Sequence, residues 1–241
     1  SGQPHTMLIT KVETIHVDEF WQMCWVRIHT DSGEIGLGET WYLPKSVSAV
    51  VHEIFGPTLI GRDPMDREGI WDELFKLAGI FTYSGAELRA LSAVDIALWD
   101  IKGKHFEVPV WELLGGNVRD KIHLHLLSGG GTPEANFKAA KAAVDEGFTA
   151  VKFDPITSDC HDKGQARMIE NAVAITAAAR EAGGPDLDLI IELHRKLTPM
   201  VAIALAEALK RQADPDSPFT PPHATLTVGM MNGGTASNIL A

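Results

Sequence analysis

Apolar and polar positions follow two different periods along this chain, and the change of period divides it. Residues 7–40 read as antiparallel strands. Residues 8–17 alternate imperfectly, and 23–28 are rich in apolar and β-favouring side chains. Asp31-Ser32-Gly33 supplies a hairpin turn, and 34–39 begin the return strand. A helical period follows. Residues 47–55 form a short helix ending at Gly56-Pro57, and 66–77 set Ile70, Leu74 and Leu77 on one face. The clearest helix is 86–104, where Leu88, Leu91, Val94, Leu98 and Ile101 recur three or four apart before Gly103 and Pro109 end it.

The grammar changes near residue 120. Residues 121–127 read as a strand and 128–131 as a loop, and Thr132 is a good N-cap with Pro133 at the first helical position. Helix 133–146, strand 149–154, helix 164–182, strand 187–193 and helix 199–212 then alternate. That βαβαβα order implies parallel strands joined by right-handed crossovers. Beyond Ala213 lies a proline-rich stretch, then strand-like residues 224–231, a turn at Asn232-Gly233-Gly234, and strand-like residues 235–241. The fold class expected is an α+β capping domain over residues 1–120, a partial (β/α) barrel of about three βα units over 121–212, and a linker with a short β-prone tail over 213–241.

Composition narrows the function. The chain has 241 residues, with 21 basic and 32 acidic side chains and a net charge of −11. Phosphate neutralisation needs clustered Lys and Arg, so nucleic acid is not the expected partner. No apolar run approaches a membrane span. Ser1-Gly2-Gln3-Pro4-His5-Thr6 lacks the features of a signal peptide. Cys24 and Cys160 are too few for a disulfide framework, so a cytoplasmic location is expected.

Candidate chemistry concentrates at two strand endings, Val151-Lys152-Phe153-Asp154-Pro155 and Ile190-Ile191-Glu192-Leu193-His194. Residues i and i+2 of a strand share a face, so Lys152 is expected beside Asp154 and Glu192 beside His194. Parallel strands would bring both pairs to one end of the sheet, where α/β enzymes keep their chemistry. Lys152 with Asp154 reads most simply as a local ion pair, with Asp154 keeping Lys152 protonated as an electrostatic stabiliser. His123 and His125 alternate on the first barrel strand, which strand polarity explains better than a metal site. Gly129-Gly130-Gly131 reads as a tight βα loop, and Asp95, Trp99 and Asp100 as packing contacts. Cys160 and His161 lie in a polar loop and take no role.

Residues 86–116 carry Ala-Val-Asp-Ile-Ala-Leu-Trp-Asp followed by Pro-Val-x-x-Leu-Leu-Gly-Gly. On these motifs the chain resembles the enolase superfamily, in its mandelate racemase and muconate lactonizing branch, over about residues 7–209. The resemblance implies a Mg²⁺-assisted lyase that removes the proton α to a carboxylate and then eliminates water. Its substrate would be a small acid sugar or other α-hydroxy carboxylate. Racemase-type members carry Lys-x-Lys where this chain has Lys152-Phe153-Asp154, which leaves the base unassigned. Glu192-Leu193-His194 is similar to the acidic ligand, one residue, then His of the galactonate-type dehydratases. Glu192 is thereby implied as a metal ligand, His194 as the acid that protonates the departing hydroxyl, and Lys152 and Asp154 as their catalytic neighbours. Loops 18–25 and 41–44 would contact the far end of the substrate. Two further carboxylate ligands belong on strands that 121–212 do not supply, so weak Mg²⁺ binding, impaired activity and self-association are expected. The alternative is a non-catalytic fragment or fusion that only folds and oligomerises. Residues 214–241 resemble the dimerisation-domain segment of acetylornithine deacetylase-type peptidases, with Gly233-Gly234-Thr235-Ala236 their most specific part. This leaves a third reading, a partner module driven by the tail.

Overall fold

The computed structural model describes residues 7–79, 84–194 and 196–210. The chain divides into two compact units, with the boundary between Asp120 and Lys121. The tail from residue 211 onward, including the peptidase-like segment, lies outside the described residues.

The first unit opens with three antiparallel strands in the order β1 (Ile9–Ile15), β2 (Met23–Thr30) and β3 (Ile35–Trp41). Strict alternation on β2 buries Cys24, Val26, Ile28 and Thr30 and turns Trp25, Arg27 and His29 outward. The imperfect alternation of β1 has a local cause. The register shifts between Ile9 and Lys11, where one residue is inserted against β2. Gly33, at φ +97°, completes the hairpin between β2 and β3.

Helices follow as α1 (Pro44–Val50), α2 (Gly56–Leu59), α3 (Arg67–Gly79), α4 (Ala86–His105) and α5 (Val110–Leu113). The expected stop at Gly56-Pro57 does not occur. A π-helical turn at Val51–Phe55 leads into α2, and Pro57 falls in the first turn of α2, where no N–H is needed. Helix α4 buries Leu91, Val94, Leu98 and Ile101 together with Ala90, Ala93 and Ala97. It lies almost directly on β3. A Cβ on Gly36 or Gly38 would overlap the carbonyl oxygens of Ala97 and Ala93. Asp95 pairs with Arg67, whose guanidinium lies over the Trp99 ring at 4.6 Å. Asp100 accepts the Leu37 N–H at 2.8 Å and so occupies the open edge of β3. These three residues are structural contacts within the unit.

The second unit carries β4 (Leu126–Leu127), α6 (Pro133–Asp145), β5 (Ala150–Phe153), α7 (Gln165–Gly183), β6 (Asp188–Ile191) and α8 (Pro199–Lys210). The strands are parallel in the order β4-β5-β6. Thr132 caps α6 by accepting the Ala135 N–H at 3.2 Å. Val151 and Phe153 face a cluster of Ala140, Ala143, Ile175 and Ala179 from α6 and α7. Ala150 and Lys152 therefore belong to the opposite face of β5. Gly129, at φ +111°, passes so close to Phe153 that a Cβ would sit 2.7 Å from the Phe153 Cβ, as a tight βα loop requires.

One expected strand is much shorter than its pattern. Residues 121–125 precede β4 rather than extend it, and the ladder with β5 covers only Leu126 against Val151 and Leu127 against Lys152. His123 and His125 therefore do not alternate on a strand. Their rings meet edge to face, 5.4 Å between centroids, and His123 Nε2 bonds the Thr149 hydroxyl at 2.7 Å.

Candidate functional site

The carboxyl ends of β5 and β6 lie side by side. Their register sets Lys152 against Ile190 and Phe153 against Ile191. The Glu192 N–H donates to the Phe153 carbonyl at 2.9 Å, which extends the pairing one residue past β6. Glu192 thus shares a face with Ile190 and Lys152, and the same register, continued one residue past Phe153 and Ile191, brings Asp154 opposite Glu192.

The charge pairing runs across the strands, not along them. Lys152 Nζ lies 2.7 Å from Glu192 Oε2. Asp154 Oδ2 lies 3.0 Å from His194 Nδ1 and 2.6 Å from Lys196 Nζ. The local Lys152–Asp154 pair read from strand spacing is therefore replaced. Lys152 leans toward the longer Glu192 side chain, while Asp154 lies past the end of β5 and turns its Oδ1 back to accept the Ile156 N–H at 2.8 Å. His194 is likewise beyond its strand. It has φ +45°, a turn conformation that places Nδ1 against Asp154, and its N–H points to Glu192 Oε1 at 3.3 Å.

Lys196 was not among the residues read from the sequence. It sits in the turn after β6, its N–H donating to the Leu193 carbonyl, and its ammonium bridges Asp154 and the Ile156 carbonyl, each at 2.6 Å. The one signal available was a cation two residues after His194. Ile156, Leu193 and Leu197 anchor the same loops in an apolar cluster with Met168, Ala172 and Leu205.

Electrostatically, the site consists of two carboxylates, each holding an ammonium. The Lys152 ammonium keeps the Glu192 carboxyl below its ordinary range, against a smaller opposing effect of burial. Among the described residues, no group of three or more His, Cys, Asp or Glu side chains is arranged to hold a metal. Mg²⁺ wants near-octahedral oxygen ligation. Glu192 already accepts from Lys152 and the His194 N–H, and Asp154 already accepts from three donors. As arranged, these residues do not fit a magnesium ion.

The two loops expected to meet a substrate's far end belong to the first unit. They run side by side, with the Tyr42 N–H donating to the Gln22 carbonyl at 2.8 Å. Phe20, Trp21, Trp41, Tyr42 and Leu43 are exposed there. Tyr42 and Leu43 both have positive φ, and Arg89 lies over the Tyr42 ring at 5.2 Å. Cys24, by contrast, is fully buried beneath the sheet, and burial pushes its thiol up to about 11. No helix among the described residues is long and apolar enough to cross a membrane.

Comparison with known proteins identifies the family. Residues 3–115 match the mandelate racemase / muconate lactonizing enzyme N-terminal domain, and residues 136–217 match the enolase C-terminal domain-like family. A D-galactonate dehydratase of Pectobacterium atrosepticum is 35% identical over 207 residues, which cover 83% of this chain and 52% of that protein. One from Xanthomonas euvesicatoria pv. vesicatoria is 35% identical over 215 residues, 88% of this chain and 54% of that protein. The chain thus spans about half the length of the curated relatives it matches. A crystal structure of an enolase-superfamily member from Salmonella Typhimurium superposes with a TM-score of 0.77 at 33% identity, over 85% of this chain and 59% of that one. With both halves of the family's domain pair matched in order, the chain belongs to the mandelate racemase and muconate lactonizing branch of the enolase superfamily.

Proposed function

We propose that this chain carries part of an acid-sugar dehydratase site, in which a proton α to a carboxylate is removed and a β-hydroxyl leaves as water. The observation that carries the reading is the His194 ring held by Asp154 beside the Lys152–Glu192 pair at the ends of two parallel strands. His194 delivers a proton to the leaving hydroxyl oxygen. Lys152 stabilises negative charge on the substrate carboxylate and on the enediolate that follows proton loss. Asp154 already accepts three hydrogen bonds, so it is a poor candidate for the abstracting base, and the base is not assigned. Galactonate-like acid sugars are the substrate class, on the likeness to the D-galactonate dehydratases.

Were Mg²⁺ to bind, Glu192 would be a ligand and would account for that one position only, since these residues as arranged do not fit the ion. Further oxygen ligands would have to come from outside the residues described, and Lys152 would have to release the carboxylate. A non-catalytic reading has its own observation in its favour, the closed Lys152–Glu192 ion pair. The two are separated by following dehydration of a panel of aldonic acids in the presence of Mg²⁺, with Glu192→Ala and His194→Ala alongside the 241-residue chain. Activity abolished by both substitutions supports the dehydratase. Turnover indistinguishable across all three proteins supports the non-catalytic reading. Isothermal titration of this chain with Mg²⁺ is expected to show weak binding, and a tight stoichiometric site lost in Glu192→Ala would overturn the assignment of a single ligand.

A further inference from the structure

We propose that Asp154 and Lys196 form a positioning pair that fixes His194 in its Nδ1–H tautomer, so that Nε2 is the ring nitrogen presented for chemistry. A carboxylate oxygen only accepts, so the 3.0 Å contact between Asp154 Oδ2 and His194 Nδ1 requires the proton to sit on Nδ1. The carboxylate cannot turn away. Its other oxygen is tied to the Ile156 N–H at 2.8 Å, and the oxygen facing the ring also accepts from Lys196 at 2.6 Å. Lys196 is itself braced on the Ile156 carbonyl at 2.6 Å. The loops that carry these groups are held from below by buried Ile156 and the partly buried Leu193 and Leu197.

The ring is half exposed, while Asp154 is largely covered. The pair thus reaches an accessible imidazole from its sheltered side and leaves Nε2 without a protein partner among the described residues. Free histidine prefers the opposite tautomer, so the arrangement does work that the ring would not do alone. Its catalytic meaning rests on the reading of His194 as the proton donor. A proton given from Nε2 leaves a neutral ring whose remaining N–H is already bonded to Asp154. Asp154 and Lys196 are positioning residues and need not touch substrate.

Tautomers are read without turnover. Long-range proton–nitrogen correlation spectra of the 241-residue chain, labelled at histidine nitrogen, distinguish the two forms at a pH of about 8.5, where imidazole is neutral. The His194 signals are identified by their loss in His194→Gln. The expected result is an excess of Nδ1–H over Nε2–H of about tenfold or more, as a charge-assisted hydrogen bond provides. In Asp154→Asn the amide oxygen keeps the Ile156 N–H and the amide nitrogen faces the ring as a donor, so the ratio should invert. Lys196→Met should lower the excess severalfold. An Nε2–H majority in the unaltered chain overturns the proposal whether or not the variants fold. An unchanged ratio in a folded Asp154→Asn overturns it as well, and an unchanged ratio in Lys196→Met removes Lys196 from the pair. A correct tautomer with no dehydration would discard the dehydratase reading and leave this one standing, and the reverse result would do the opposite.

Discussion

His194 adopts a backbone conformation that costs most L-residues about 1–2 kcal/mol, and it does so where two carboxylates converge. The turn is what swings Nδ1 to Asp154, so the strain belongs to the site. Glycine has no such cost at φ +45°, although it brings about 0.5–1 kcal/mol of extra freedom to the unfolded chain. His194→Gly should therefore be more stable than His194→Ala by up to about 1 kcal/mol, read as a higher urea midpoint at equal slope. A midpoint for His194→Ala clearly above that of His194→Gly, by the full entropy difference of about 0.5–1 kcal/mol, would mean that the turn is unstrained. The Glu-x-His spacing was legible because it is local in the chain. The partners were not, because i and i+2 geometry describes a strand and both His194 and Asp154 lie beyond one. Lys196 meets Asp154 across 42 positions of sequence, and no local rule brings them together.

At the level of elements, the first sheet has one face packed under α4 and one polar face whose pairs follow register. Glu13 stands opposite Arg27 on β2 and accepts from Lys11 at 2.5 Å, His29 at 2.6 Å and Arg27 at 2.9 Å. Hydrogen bonds from Lys11 and then His29 bring its carboxyl from 4.5 down to about 2. A group whose folded pKa is depressed adds stability that is present above its unfolded value and fades as pH falls toward the folded one. Acid unfolding of this unit should thus gain a component between about pH 4.5 and 2 that Glu13→Gln lacks. Thermal melts across that range check it, and parallel pH profiles for the two proteins would exclude the role. The strands β2 and β3 and helix α4 were readable from periodicity because each has a single buried face. The passage through Gly56-Pro57 was not, since a π turn uses an extra residue that no apolar period announces.

The two units differ in how their cores are built, and this decides how firmly the site is held. In the first, one continuous cluster joins β1 and β2 to α1, α2, α3 and α4. In the second, the buried side chains fall into two smaller clusters, one under β5 and one under the loops after β5 and β6. Strands β5 and β6 are four residues each, and one face of β5 ends in a partly exposed Lys152. Local opening follows the density of buried apolar contacts. Amide hydrogen exchange should therefore protect β2 and α4 at least about tenfold more than β5 and β6. Equal protection would mean that the units unfold as one body. Within the second unit, the amides of Glu192 and Ile156 provide the sharper comparison, since one is bonded to the Phe153 carbonyl and the other to the Asp154 carboxylate. If the carboxylate anchors the loop, Asp154→Ala should raise exchange at Ile156 severalfold while leaving Glu192 near its original rate. Loss of protection at both would instead make Asp154 a general support of the sheet edge, and the tautomer of His194 would then have to be explained without it.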